Sequence, residues 1–350
     1  MRVGLIGTKE GYGAFSFYTK NLYTGLLREG VDVHLLWVKI PQVPLGQTFH
    51  HVFLMPKQIL KVVNQFDILH ATQPGFTLCF PIIRGPAKIV TFYDIFPILR
   101  PSDFSDSIKT RMVNFVWFSI WLQTSQSCDK IIAVSSQTKA DLLTLGIPEE
   151  KIAVVSLWVR PTLRKVKMKK TNRIVIGYVG AISHRKDVKF VVSAFSEFTK
   201  KYPNSELWLC GSCSDLHYKM QIEHMIRRLG LKEKIRFEEY LSDERLSEIY
   251  SSLDCFVSGT LCEGFGLPIL EAKKFGVPVI VRKTAVIPPE VKKHCIEVES
   301  PQEMAERIAE VVEGKAEEIT SRATADATRF TLERAIKQTI HIYESCLNLR

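Results

Sequence analysis

Two carboxylates, Glu263 and Glu271, bracket the glycine-rich stretch Glu263-Gly-Phe-Gly-Leu-Pro-Ile-Leu-Glu271. The apolar run Leu253–Val257 before it reads as a buried strand. Pro268 suits the first turn of a helix, where a missing N–H costs nothing. Gly264 and Gly266 remove side chains where backbone must approach something closely. The free N–H groups of the new helix favour anions and electron-rich oxygens. Glu263 in the loop and Glu271 about one turn into the helix are expected to face one ligand, although a tight connection with two solvated glutamates would show the same spacing. A second candidate is the polar loop Ser183-His184-Arg185-Lys186-Asp187, which follows the strand-like run Arg173–Gly180 and leads into a helix from Val188 to Lys200. A third is Thr8–Gly13, between the apolar run Arg2–Gly7 and a helix over Ala14–Arg28. Strand, glycine loop and helix start suggest a phosphate-facing loop there. A dehydrogenase is disfavoured, because Ser16 stands at the third glycine position of a dinucleotide fingerprint and Lys39 where an NAD site wants an acid.

The elements that must position these groups follow from length and pattern. The 350 residues, 46% hydrophobic and 24% charged, fit two globular domains of roughly 150 residues each. No apolar stretch approaches the ~20 residues that span a bilayer, and the apolar N-terminus is too short for a signal peptide, so a cytoplasmic protein is expected. Short apolar runs alternate with helical segments through both halves, including Ile68-Leu69, Lys88–Phe92, Lys130–Val134, Glu206–Cys210, Ile235–Glu238 and Val277–Val281. The fold class expected is α/β, with two doubly wound parallel-sheet halves facing an inter-domain cleft and a boundary near residues 160–172. His70, after Asp67-Ile-Leu, sits at a strand end, where it serves either the core or an acceptor site.

Of the eight cysteines only Cys210 and Cys213 form a close pair, without the partners a zinc site needs. The net charge of +10 is uneven: Arg160, Arg164, Lys165, Lys167, Lys169, Lys170 and Arg173 run together with no acid among them. That run reads as a solvated linker, or as contact with an anionic membrane surface or nucleic acid. Within Ser107–Cys128, the stretch Phe115–Leu122 is rich in aromatics. It reads as a helix with a wide buried face, or as a surface helix dipping into a membrane interface with Lys109 and Arg111 towards headgroups.

The stretch Glu263–Ala272, with Gly276-Val-Pro-Val-Ile280, resembles the signature of the retaining family 4 glycosyltransferases of GT-B fold, whose paired glutamates form an E-x7-E motif. Ile131–Ser135, Lys151–Val155, Tyr178–Lys186 and Pro288-Pro289-Glu290 are similar to further family segments in the same order. The resemblance implies Rossmann-like domains: residues 1–160 on the acceptor side, a basic linker at 161–172, a nucleotide-sugar donor domain at 173–328, and a C-terminal helix at 329–350 crossing back. It implies Arg185 and Lys186 neutralising a diphosphate leaving group, Glu263 at the donor sugar, and Glu271 at the ribose hydroxyls. The amides of Phe265, Gly266 and Leu267 would contact sugar and phosphate, and Gly11 and Gly13 would close over the diphosphate. Tyr93-Asp94 stands where a His-Asp pair is common, so Tyr93, Asp94 and His70 are the candidates for the sugar or acceptor side. Asp187 replaces a common Asn, and Leu157-Trp158 an Asn-Gly.

The implied activity is retaining transfer of a hexose from a nucleotide sugar to a saccharide or lipid-linked acceptor, with no metal and no cofactor beyond that co-substrate. Peripheral contact with the inner face of an anionic membrane is a further expectation. A transferase acting on nucleic acid, disfavoured because only the charge suggests it, and an inactive sugar-nucleotide-binding protein are the alternatives. The sequence leaves the oligomeric state open.

Overall fold

The computed structural model describes residues 1–8, 14–38, 55–105, 107–168, 172–213, 215–239 and 241–348. The chain divides into two compact α/β units, one of residues 1–101, 107–158 and 330–350, the other of residues 102–106 and 159–329.

The first unit carries β1 (Arg2–Thr8), β2 (Asp32–Val38), β3 (Ile68–Ala71), β4 (Ala87–Phe92), β5 (Lys130–Ala133) and β6 (Ile152–Val154). They form a parallel sheet in the order β2-β1-β3-β4-β5-β6. The strands are short continuous apolar runs because helices cover both faces of such a sheet, and β3 is buried at every residue. The first helix, Ala14–Arg28, packs against the last, Leu332–Asn348. Gly25 makes room: a Cβ there would lie 2.5 Å from Ile336 Cδ1.

His70 is fully buried in this unit. Its Nδ1 lies 2.6 Å from the Tyr343 hydroxyl on the last helix, and its Nε2 lies 2.8 Å from Thr91 Oγ1. Thr91 in turn meets the Tyr18 hydroxyl at 3.1 Å. The acceptor-side expectation for His70 is therefore corrected. Every imidazole position is used inside the core, and the strand end it occupies is covered by the C-terminal helix.

The Ile108–Ser125 helix, read from sequence either as a wide buried face or as a surface helix, is exposed along one side. Trp117, Phe118 and Trp121 are half-buried, but the opposite face, with Ile108, Met112 and Val116, is exposed.

The second unit carries β7 (Ile174–Val179), β8 (Ser205–Cys210), β9 (Ile235–Glu238), β10 (Cys255–Ser258), β11 (Val279–Arg282) and β12 (Ile296–Val298). Their order is β12-β11-β10-β7-β8-β9, again parallel. The order reverses between β7 and β10, so the crevice outside their carboxyl ends is the topological switch point. β11 begins at Val279, not Val277, because Pro278 has no N–H to give the ladder. All eight cysteines are free, and burial pushes the Cys210 thiol up to about 12. Helices start on side-chain caps at Asp215, Ser242 and Ser300, each accepting from an amide three residues on.

Burial lowers the His70 pKa to about 3. The unfolded chain takes up a proton near pH 6.5 that the folded chain refuses, so this contribution is complete above that pH and declines on acidification. The slope is about 1.4 kcal/mol per pH unit. Replacement by neutral glutamine (His70→Gln) should lower stability at pH 7 yet flatten its pH dependence. The stability gap between the two proteins should narrow by about 2 kcal/mol between pH 7 and pH 5. Chemical denaturation at both pH values measures it, and a constant gap would exclude a buried neutral imidazole.

Candidate functional site

The loops that follow β7 and β10 are packed backbone against backbone. After β7 the chain makes a 3-10 turn over His184–Lys186, closed by Asp187 in the left-handed region at φ 38°. An Asp tolerates this better than most residues. Here its carboxylate also accepts from Phe190 N at 3.4 Å and pairs with Arg282, at the end of β11, at 2.9 Å. After β10, a Cβ on Gly259 would sit 2.5 Å from the Asp187 carbonyl oxygen, so only glycine lets the two loops approach. Leu261 N then donates to the Arg185 carbonyl at 2.9 Å, and Glu263 N to Val286 O at 2.8 Å. Gly266, at φ 96°, turns the chain into the Leu267–Lys274 helix with Pro268 in its first turn.

That scaffold brings Arg185, Lys186 and Glu263 together. Lys186 Nζ donates to Glu263 Oε1, and both side chains are buried. Arg185 donates to the Cys262 carbonyl at 2.8 Å and lies 3.7 Å from Glu263 Oε2. Burial pushes the Glu263 pKa up, but Lys186 and Arg185 outweigh it and hold the carboxyl below its ordinary range. Burial, helped by the like charge of Arg185, lowers the Lys186 ammonium against the pull of Glu263. Two cations therefore meet one carboxylate at the switch point among the described residues, a setting suited to an anionic ligand.

Glu271 has different partners from Glu263. It is buried on the helix, where its Oε2 accepts from the Tyr250 hydroxyl at 2.8 Å and its Oε1 lies 3.1 Å from Arg160 Nε. Arg160 also pairs with Asp243 at 3.1 Å, and Thr162 donates to the same carboxylate. Burial raises the Glu271 pKa, with Arg160 and Tyr250 opposing it.

Sequence reasoning missed Arg160, because it opens the basic run read as solvated linker. Arg164, Lys165 and Lys167 are indeed exposed, yet the segment is tied to the Asp243–Ser252 helix by amides of Arg164 and Val166 donating to Ser247 and Ser251. The usable signal was its setting: Arg160 follows the apolar residues Leu157, Trp158 and Val159, all buried.

Phe265 is buried and Leu267 half-buried, beside Gly266 at the start of that helix. Tyr93 and Asp94 follow β4 in the first unit. Tyr93 packs edge-on to Phe15 and Tyr18, with centroids 4.7 and 5.5 Å apart, and its hydroxyl is buried without a hydrogen-bond partner among the described residues. Asp94 is half-buried. Gly11 and Gly13 lie outside the described residues.

The family described as Glycosyl transferases group 1 matches residues 159–329, and the one described as Glycosyltransferase Family 4 matches residues 16–163. The chain belongs to the family 4 glycosyltransferases. Its two Rossmann-like units have the GT-B fold. The sucrose-phosphate synthase structure from Thermosynechococcus elongatus superposes with a TM-score of 0.81 at 15% identity, over 100% of both chains. That of Anabaena HepE in complex with UDP and glucose gives 0.76 at 17% identity, over 99% of both. In sequence, an uncharacterized glycosyltransferase of Methanocaldococcus jannaschii is 23% identical over 65% of this chain and 63% of that protein. The O-antigen chain mannosyltransferase RfbU of Salmonella typhimurium is 28% identical over 55% of this chain and 50% of its own length. The chain thus spans between half and two thirds of these relatives.

In this family 4 chain, removing one partner of a buried ion pair strands the other. Arg160→Met should cost about 2 kcal/mol, since it removes the cation 3.1 Å from the buried Glu271 carboxylate, and Arg160→Met with Glu271→Gln should recover most of it. Thermal unfolding of the three proteins is the measurement. A double variant no more stable than the single would show that the pair is not coupled.

Proposed function

We propose that this chain transfers a hexose from a nucleotide-diphosphate sugar to a saccharide or lipid-linked saccharide, with retention at the anomeric carbon and without a bound metal. The observation that carries the reading is the Arg185–Lys186–Glu263 cluster at the β7/β10 switch point. The family and the UDP found with HepE support it. Breaking the bond from the anomeric carbon to the diphosphate leaves negative charge on the departing oxygens. Arg185 offers a planar fork for them and Lys186 a point charge. Glu263, which holds Lys186 in the meantime, accepts from the sugar hydroxyls. The acceptor oxygen bonds to the anomeric carbon on the same face, and its proton passes to the departing phosphate oxygen.

Glu271 accepts from the ribose hydroxyls through lone pairs that Tyr250 and Arg160 leave open. The amides at Phe265–Leu267 face sugar and phosphate oxygens, and Tyr93 and Asp94 serve the acceptor side. The protein works in the cytoplasm, at the inner face of the membrane where the acceptor is lipid-linked.

Thermal unfolding with UDP and GDP, and turnover with UDP-glucose and GDP-mannose, test this reading. One nucleotide should raise the midpoint. Lys186→Ala should lower kcat roughly 100-fold or more. Equal turnover by the wild type and Glu263→Ala would remove the transferase assignment. Activity should persist in EDTA, and loss there restored by a divalent ion would overturn the metal-free part.

A further inference from the structure

The Ile108–Ser125 helix is apolar on both of its faces. Inward, Trp121 packs over Gly75 and against Phe118, with ring centroids 4.9 Å apart. Outward, Ile108 is 71% exposed, Met112 66% and Val116 55%, and Val113, Phe115 and Ile120 are exposed as well. At 3.6 residues per turn these six side chains share one arc of about 160°. Lys109 lies within the same arc. From Ser107 to Ser125 the ionisable residues are Lys109 and Arg111, with no Asp or Glu. The Phe80–Ile82 turn packs beside the helix and adds an exposed Ile82, followed by an exposed Arg84. A helix apolar all round is normally covered on every side, and a continuous apolar patch of this kind marks a docking surface.

We propose that this face lies in the interfacial layer of an anionic membrane, its apolar side chains at the acyl boundary and the Lys109 ammonium extended to lipid phosphates. Charge decides the occupant. The first unit's sequence holds eighteen Lys and Arg against eleven Asp and Glu, which is +7 of the chain's +10. A second copy would press two net-positive units together with Lys109 against Lys109, whereas an anionic lipid surface has the complementary sign. No helix among the described residues is long and apolar enough to cross a membrane, so this helix, about 27 Å long, lies on the surface. Its exposed N-terminal half follows the carboxyl end of β4, the end that carries Tyr93 and Asp94. Docking there brings that end of the sheet to the lipid. The docking itself does not rest on the transferase reading; the consequence that the acceptor is lipid-linked does.

Co-sedimentation of the full chain with vesicles of phosphatidylcholine alone, or with a third phosphatidylglycerol, tests the proposal. The wild type should bind the anionic vesicles and release at high salt. Met112→Glu with Val116→Glu should weaken binding at least tenfold, and Lys109→Glu roughly tenfold. Both changes are at solvent-facing positions, and an unaltered midpoint shift with UDP or GDP shows that the fold and the donor site persist. Absence of vesicle binding, equal binding by the double variant, or self-association abolished by the double variant without vesicle binding would each overturn the proposal. A failed nucleotide shift with intact vesicle binding would instead count against the donor site alone.

Discussion

A buried ammonium and a buried carboxylate, Lys186 and Glu263, hold one another in the second unit. Taking two charges out of water is expensive, and an apolar pair of the same volume would serve stability as well or better. Much of the local backbone is committed to keeping them in register. Gly259 removes the Cβ that would strike the Asp187 carbonyl, Asp187 takes a left-handed conformation held by Arg282, and the Leu261 amide closes onto Arg185. Such an outlay suits a ligand that offers the cations a better partner than Glu263 does.

The two sheets reach comparable scaffolds by different routes. In the first, β1 is flanked by β2 and β3; in the second, the centre falls between β7 and β10. Parallel strands send all their carboxyl ends to one edge, and a reversal of strand order opens the only gap between adjacent loops there. The glycine bend after β10 and the basic turn after β7 are neighbours for that reason, although about eighty residues of chain separate them.

Much of this was legible because it is local. Strand-like runs, the glycine bend and the basic turn each declare themselves within ten residues or so. The pairing of Lys186 with Glu263 spans 77 positions and has no local signal. Arg160 was averaged into a charged run, although it alone among the seven cations follows a stretch of buried apolar residues. His70 stood at a strand end, and burial there depends on a helix that arrives 273 positions later. The Ile108–Ser125 helix defeated periodicity altogether, since apolar residues on both faces leave no preferred side to read.

The hydrogen bond between His70 and Tyr343 also sets an order of assembly. The first unit is not complete until its last helix has been made, whereas the second, apart from the short 102–106 stretch, is continuous from residue 159 to 329. At about 5–20 residues per second, translation holds the first sheet without that helix for roughly 10–35 seconds. During that interval Gly25 has no Ile336 to receive, and His70 lies open to water and chaperones. A ribosome that stalls within the second unit would release a first sheet able to form its strands but not to seal its core.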